Sequence, residues 1–460
     1  MRRENDLGKD NITALVFRLA IPSMLASFVN VLYSIVDRMF IGNISEIGSV
    51  ALAGVGVCGP IVTLISSFAY LAGAGGAPLL AMRLGEKDKN GAEKILSNCF
   101  LMLLVISVVL TIFFLTFKRP LLMAFGASEN TFLYADKYLT IYTIGTVFAI
   151  LSVGLNQFIA CQGFSTVAMT SVLIGAVLNI ILDPIFIFTF GLGVSGAAIA
   201  TVIAQFASCI FVVMFLFGQR ALVRITFGGY SWKLMKRAMY FGFCPFIIMA
   251  TEGVIIIVLN GVLQRYGGPG LGDMLVAGAT IVQSYMFICT MPLGGITLGT
   301  QPILSYNYGA KNIDRIKKCF RGVLMLALSF TTIMFVLSQV VPKYFVLIFT
   351  NDPQLIEMSV NYIRVFTFGV IILALQYVFV DGLTALGVAK VAISLSLFRK
   401  GSFVILTIIL PIFFGASSPF YAEPIVDIVS GITSTIVFML LINNLLRKRE
   451  EMPDGKPLYS

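Results

Sequence analysis

The 460-residue chain contains no histidine. No imidazole is available to carry protons near neutral pH, so any proton exchange must run through carboxylates. The seven cysteines, Cys58, Cys99, Cys161, Cys209, Cys244, Cys289 and Cys319, are odd in number and scattered through apolar stretches. They show no zinc or redox spacing and read as small packing residues. Charge is scarce as well: 12% of residues are charged and 58% hydrophobic. That balance excludes a soluble enzyme and makes lipid the solvent for most of the chain. An intramembrane enzyme would need a nucleophile with a base, or metal ligands at mid-membrane, and no such spacing occurs. The start of the chain lacks a short apolar region with a small-residue cleavage site, so it reads as a first spanning helix and not a signal peptide.

Apolar stretches long enough to cross a bilayer, about 20 residues each, are abundant. They fall at 12–41, 50–81, 95–117, 132–161, 166–190 and 194–217, then at 238–264, 275–304, 316–341, 357–386, 391–414 and 422–446. The fold expected is an all-α polytopic membrane protein of twelve transmembrane helices in two six-helix lobes around a central cavity. The lobes span 1–217 and 238–446, joined by a cytoplasmic linker at 218–237 and followed by a cytoplasmic tail at 447–460. The linker carries the only tryptophan, Trp232, among basic residues, which suits an interfacial segment.

The formal net charge of +10 is not a nucleic-acid signal, because most of the 32 Lys and Arg sit in alternate loops. Arg2, Arg3, Lys9 and Arg18 precede or open helix 1, and Arg83, Lys87, Lys89 and Lys94 join helices 2 and 3. The linker holds Arg220, Arg224, Lys233, Lys236 and Arg237. Loop 8 to 9 holds Lys311, Arg315, Lys317, Lys318 and Arg321. Lys390, Arg399 and Lys400 are assigned near loop 10 to 11, and Arg447, Lys448, Arg449 and Lys456 to the end of the chain. This bias places both termini in the cytoplasm. The setting expected is the cell membrane, with the bilayer as partner and a monomer as the working unit.

The two halves repeat one another. Gly75, Pro78, Leu80, Gly85, Lys87 and Lys94 recur 224 positions later as Gly299, Pro302, Leu304, Gly309, Lys311 and Lys318. The offset also holds for Tyr138 and Tyr362, Gly145 and Gly369, and Gly163 and Gly387. Six helices is an even number, so the halves are parallel copies about an axis along the membrane normal, an arrangement that places a binding site between them. Pro22 and Pro245, Pro78 and Pro302, and Pro184 and Pro411 lie at roughly matching places. Each removes a helix hydrogen bond, so bends are expected where helices line a cavity or hinge.

Six acids fall within or at the ends of the predicted helices: Asp37, Asp183, Glu252, Asp381, Glu423 and Asp427. A carboxylate at mid-membrane costs about 2.5–3.5 kcal/mol even on the mildest scale, so each demands a use or a partner. Asp183 has the richest surroundings. Asn179 shares its helix face, Pro184 frees the carbonyl of Ile180, and the Gly191–Leu192–Gly193 turn returns helix 6 so that Thr201 reaches a similar depth. Such oxygens suit a hard cation such as Na+ or a shared proton.

At these residues the chain resembles the MATE family, the multidrug and toxic compound extrusion transporters, in its prokaryotic DinF/MepA-like branch. The segments carrying the resemblance are Val36–Gly42 with Leu52–Gly54, Pro78 with Gly85 and Lys87, Asn156–Ile159 with Gln162–Gly163, Asn179–Pro184, Gln301–Pro302 through Gly309–Lys311, and Tyr421–Asp427. The resemblance implies two lobes forming a V-shaped cavity that exchange H+ or Na+ for organic cations and drugs, with no other cofactor. It also implies a coupling-ion site at Asp37, Asn156, Asn179, Asp183 and Thr201, with Tyr33 and Tyr138 lining the same pocket. Glu252 fits the helix 7 acid of the NorM branch, whereas Asp381 is out of register with that branch's helix 10 acid. Ala160 stands where relatives often carry Arg.

The ionisable groups are not duplicated along with the scaffold. Asp37 aligns near Asn260, Thr201 with Asp427 and Gln157 with Asp381, while Asp183 has an apolar counterpart. A division of labour follows: Asp37 and Asp183 handle the coupling ion, while Glu252, Asp381 and Asp427, with Gln157, bind cationic substrates. The alternative is a related flippase of a lipid-linked pyrophosphate, which would favour basic groups within the cavity. The buried charges read as predominantly acidic, with Arg38 and Arg364 as exceptions.

Overall fold

In lipid a backbone N–H or C=O has little to bond except its own helix, so the apolar runs fold as long helices. The computed structural model describes residues 5–42, 44, 48–125, 129–268 and 271–451. Its first half comprises α1 (Ile12–Gly42), α2 (Gly48–Gly85), α3 (Lys89–Ala124), α4 (Glu129–Ile144), α5 (Thr146–Cys161), α6 (Ser165–Pro184) and α7 (Val194–Phe217). The second comprises α8 (Trp232–Gly267), α9 (Leu271–Gly309), α10 (Ile313–Val340), the short α11 (Pro342–Val346), α12 (Pro353–Phe366), α13 (Val370–Ala385), α14 (Ala389–Phe414) and α15 (Ala422–Glu450). Among the described residues eleven spans are long and apolar enough to cross a membrane. The α4–α5 pair, bent by 56°, completes the twelve expected.

That bend falls at Gly145, between α4 and α5, and not at a proline. Its repeat partner Gly369 ends the 3-10 turn Thr367–Gly369 between α12 and α13. A side chain at Gly145 would strike Val202 of α7, and one at Gly369 would strike Asp427 of α15, so both glycines admit a closely packed helix at equivalent places. Of the prolines, Pro184 changes the helix most visibly. There α6 passes into the π-helical turn Ile185–Thr189, as expected where an amide is missing. The repeat extends to unusual backbone: Lys87 and Lys311 both take positive φ, at 61° and 59°, and Gly163 and Gly387 take 93° and 87°.

The halves interlock at the end bearing the basic loops. Leu7, Leu15, Val16 and Leu19, at and before the start of α1, belong to an apolar core built mostly from the second half, including Ile296, Ile303 and Leu383. Reciprocally, Ala238 and Phe241 of α8 join the first-half core of Ile61, Leu80, Leu103 and Phe158. The lobe boundaries at 217 and 238 are therefore crossed by both entry helices. At the same end, Cβ atoms at Gly85 and Gly309 would overlap the carbonyls of Tyr306 and Met82, so these turns touch backbone to backbone across the repeat axis.

Three segments depart from expectation. The linker is shorter, since α8 begins at Trp232, and it is strapped to the first half. The amides of Val223, Thr226 and Ser231 donate to Gln162 Oε1 (2.8 Å), Ser97 Oγ (3.1 Å) and Asn98 Oδ1 (2.7 Å). At the other terminus α15 runs on to Glu450, and Arg449 is buried. Its guanidinium donates to the carbonyls of Tyr308 (2.9 Å) and Gly309 (2.6 Å) and to Glu86 Oε1 (3.1 Å), tying both halves together. Thirdly, Arg399 and Lys400 are not in a loop: they occupy the middle of α14, with side chains 11% and 13% exposed. Arg2, Arg3, Lys456 and the side chain of Arg38 lie outside the described residues.

Candidate functional site

The first half encloses a cavity of about 410 Å3. That size suits one drug-sized molecule. Nearly all its wall comes from α1, α2 and α4–α7, with only Gly295, Leu298 and Gly299 contributed by α9. Tyr33, Asp37, Tyr138, Asn156, Gln157, Asn179 and Thr201 all line it. Among its described lining residues there is no Lys or Arg, and Asp37 is the one carboxylate.

Asp183 sits behind that wall, fully buried. The tight α6–α7 hairpin sets its company, with Gly191 and Gly193 in left-handed conformations at the turn. Asn179 Nδ2 donates to Asp183 Oδ1 at 3.0 Å and reaches Thr201 Oγ1 at 3.4 Å. The carboxyl of Asp37 lies close enough to that of Asp183 to interact with it electrostatically, although α1 and α6 are far apart in sequence. Two like charges this close cannot both be carried cheaply in a low dielectric, so the pair calls for a proton or another cation between them. Three further observations point the same way. Asp183 Oδ2, Asn179 Oδ1 and Asn156 Oδ1 are buried and meet no donor among the described residues. Such an all-oxygen set suits a hard monovalent cation or a shared proton.

Aromatic groups form the next layer. Tyr138 and Tyr142 stack with ring centroids 6.4 Å apart, and Tyr142 Oη lies 3.4 Å from Ser66 Oγ. Serines and threonines of the wall, among them Ser23, Ser27, Ser34, Thr63 and Ser152, were not singled out from the sequence. Isolated hydroxyls are too common in membrane helices to stand out.

The second half is arranged differently. Glu252, Asp381 and Asp427 do not line the cavity, and each is engaged elsewhere. Lys400 Nζ donates to Glu252 Oε2 in a short ion pair. Asp427 Oδ1 accepts from Arg399 Nε (3.1 Å) and Nη2 (2.8 Å), and Arg399 Nη2 also reaches Glu423 Oε1 (2.6 Å). Asp381 Oδ2 accepts from Thr297 Oγ1 at 2.6 Å, and its carbonyl from Gln301 Nε2 at 3.2 Å. This geometry differs from the open negative lining expected there: Glu252, Asp381 and Asp427 lie outside the described cavity wall, and Arg399 and Lys400 pair with Glu252, Glu423 and Asp427. The signal was in the sequence, since both bases lie inside the apolar run 391–414 and buried bases need acid partners. Gln157 does face the cavity. With Gln301 it also borders a second small cavity, of about 10 Å3, that Pro78 and Pro302 line as well.

Comparison with known proteins places these features in context. The MatE family profile matches residues 22–185 and 269–410. The chain is similar to the multidrug export protein MepA of Staphylococcus aureus (strain MSSA476), with 22% identity over 97% of this chain and 98% of the relative. It is also similar to MepA of Staphylococcus haemolyticus, with 24% identity over 95% of each. Its fold superimposes on a structure described as the outward-facing conformation of a multidrug resistance MATE family transporter of the MOP superfamily. The TM-score is 0.89 and the identity 22%, over 97% of this chain and 100% of that one.

Proposed function

Because the chain belongs to the MatE family of transporters, we propose that it is a secondary active multidrug efflux transporter. It exports organic, mostly cationic and amphipathic compounds in exchange for H+ or Na+ by alternating access. One observation supports this reading: a drug-sized cavity with no Lys or Arg among its described lining residues, whose charged wall residue Asp37 lies near the buried Asp183. An organic cation in the cavity and a small cation at the carboxyl pair neutralise the same charge. Their occupancies are therefore antagonistic, which is the requirement for exchange.

The energetics favour such an exchange. Moving one positive charge outward against 100 mV costs about 2.3 kcal/mol, and an inward-moving coupling cation offsets that term. Alternation needs two states, and the contacts between the halves support a reading in which one end is closed here. In this reading the closed end is the one bearing the basic loops, assigned to the cytoplasm by their charge, where Gly85 and Gly309 pack backbone to backbone and Arg449 bridges the halves. Opening toward the cytoplasm requires those contacts to part. The flippase reading has Arg399 and Lys400 in its favour, but both are paired with carboxylates and neither lines the cavity.

Proteoliposomes loaded with a fluorescent organic cation test the proposal. Efflux is expected to accelerate when an inward pH or Na+ gradient is imposed and to slow when that gradient is collapsed. Equal efflux with and without each gradient would sink the antiport claim.

A further inference from the structure

The second half carries a charge imbalance that its ion pairs do not resolve. Glu252 on α8 and Glu423 and Asp427 on α15 supply three carboxylates, and Arg399 and Lys400 on α14 supply two cations. All five are largely buried, Asp427 completely. Arg399 binds one oxygen of each α15 acid, Glu423 Oε1 and Asp427 Oδ1. The other Asp427 oxygen, Oδ2, is buried and meets no donor among the described residues. Glu423 and Asp427 are four residues apart and share a helix face. Among the described residues Tyr377 of α13 also faces the cluster, and neither it nor its neighbour Asp381 brings a positive charge.

We propose that Glu423 and Asp427 share one proton beneath the Arg399 guanidinium, forming a proton site in the second half distinct from the Asp37–Asp183 pair. One added proton makes the five-residue cluster neutral, which the surrounding lipid and protein strongly favour. A metal cation fits poorly, because it would need several oxygens beside two fixed cations, whereas a proton needs one. The proton belongs to the pair and not to either residue alone. It exchanges through Glu423, which is 13% exposed while Asp427 is sealed. The same helix carries Arg449, the tie across the opposite end, so a change of charge here acts on an element that joins the halves.

The site does not depend on the coupling reading of the first half, and its test is separate. Infrared spectra of the purified full-length protein in lipid nanodiscs report protonated carboxyls through their C=O stretch. Wild type minus Glu423→Gln is expected to show loss of one such band, because the variant leaves two acids opposite two bases. Asp427→Asn is expected to show the same loss, so either folded variant decides. Flat difference spectra in that region would overturn the proposal, as would a wild-type spectrum with no protonated-carboxyl band. A band surviving both substitutions but lost in Asp381→Asn assigns the proton to Asp381 and also overturns it.

Discussion

Asp183→Asn is expected to leave the protein folded and to reduce gradient-driven efflux by roughly tenfold or more, because it removes a mid-membrane charge and not a packing contact. The amide is nearly isosteric with the carboxyl and can still accept from Asn179 Nδ2, which now bonds Asp183 Oδ1 at 3.0 Å. Asp183 is fully buried, so no new surface meets water. What disappears is the second of two facing carboxyls, and with it the need for a coupling cation between them. Asp37 still lines the cavity, so binding of the organic cation should persist while its dependence on the ion gradient is lost. Transport in proteoliposomes and ligand binding in detergent, measured on the same preparation, separate the two effects. Unchanged gradient-driven efflux would remove Asp183 from the site.

Arg399→Ala should be the most destabilising single substitution in the second half, costing about 3–5 kcal/mol by stranding the buried negative charge of the Glu423–Asp427 pair. Its side chain is 11% exposed and donates to Glu423 and to Asp427, the latter fully buried. Lys400→Ala should cost less, since its partner Glu252 is 29% exposed and can be partly solvated. Thermal unfolding in detergent ranks the variants. Adding Glu423→Gln and Asp427→Asn to an Arg399→Leu protein should recover most of the loss, because a neutral cluster of similar volume leaves no charge unpaired. No recovery would mean that packing around the guanidinium, and not its charge, holds α14 to α15.

Much of the fold was legible because lipid imposes few choices. Apolar length gave the spans, and the 224-residue offset gave the duplication, down to the matched positive φ of Lys87 and Lys311. The first-half cluster was legible for a local reason: Asn179 and Asp183 lie one helical turn apart, and a glycine turn returns Thr201 beside them. The approach of Asp37 to Asp183 was not readable from spacing, since it depends on how α1 packs against α6. The second half misled for the complementary reason. Its acids were visible as intramembrane charges, but their partners on α14 were counted as loop residues, so a paired network read as an open negative lining. The largest bend escaped too, since Gly145 breaks the fourth span where a close contact with Val202 decides, and helix periodicity does not.

The claim that a small cation and an organic cation compete for one carboxyl pair is tested most directly by binding linkage in the purified protein. A fluorescent organic cation titrated into weakly buffered protein, at several pH values and with or without Na+, should bind more weakly as the coupling ion is raised. Its binding should also release that ion, and both effects should vanish in Asp37→Asn. An affinity that changes with neither pH nor Na+ would contradict the account.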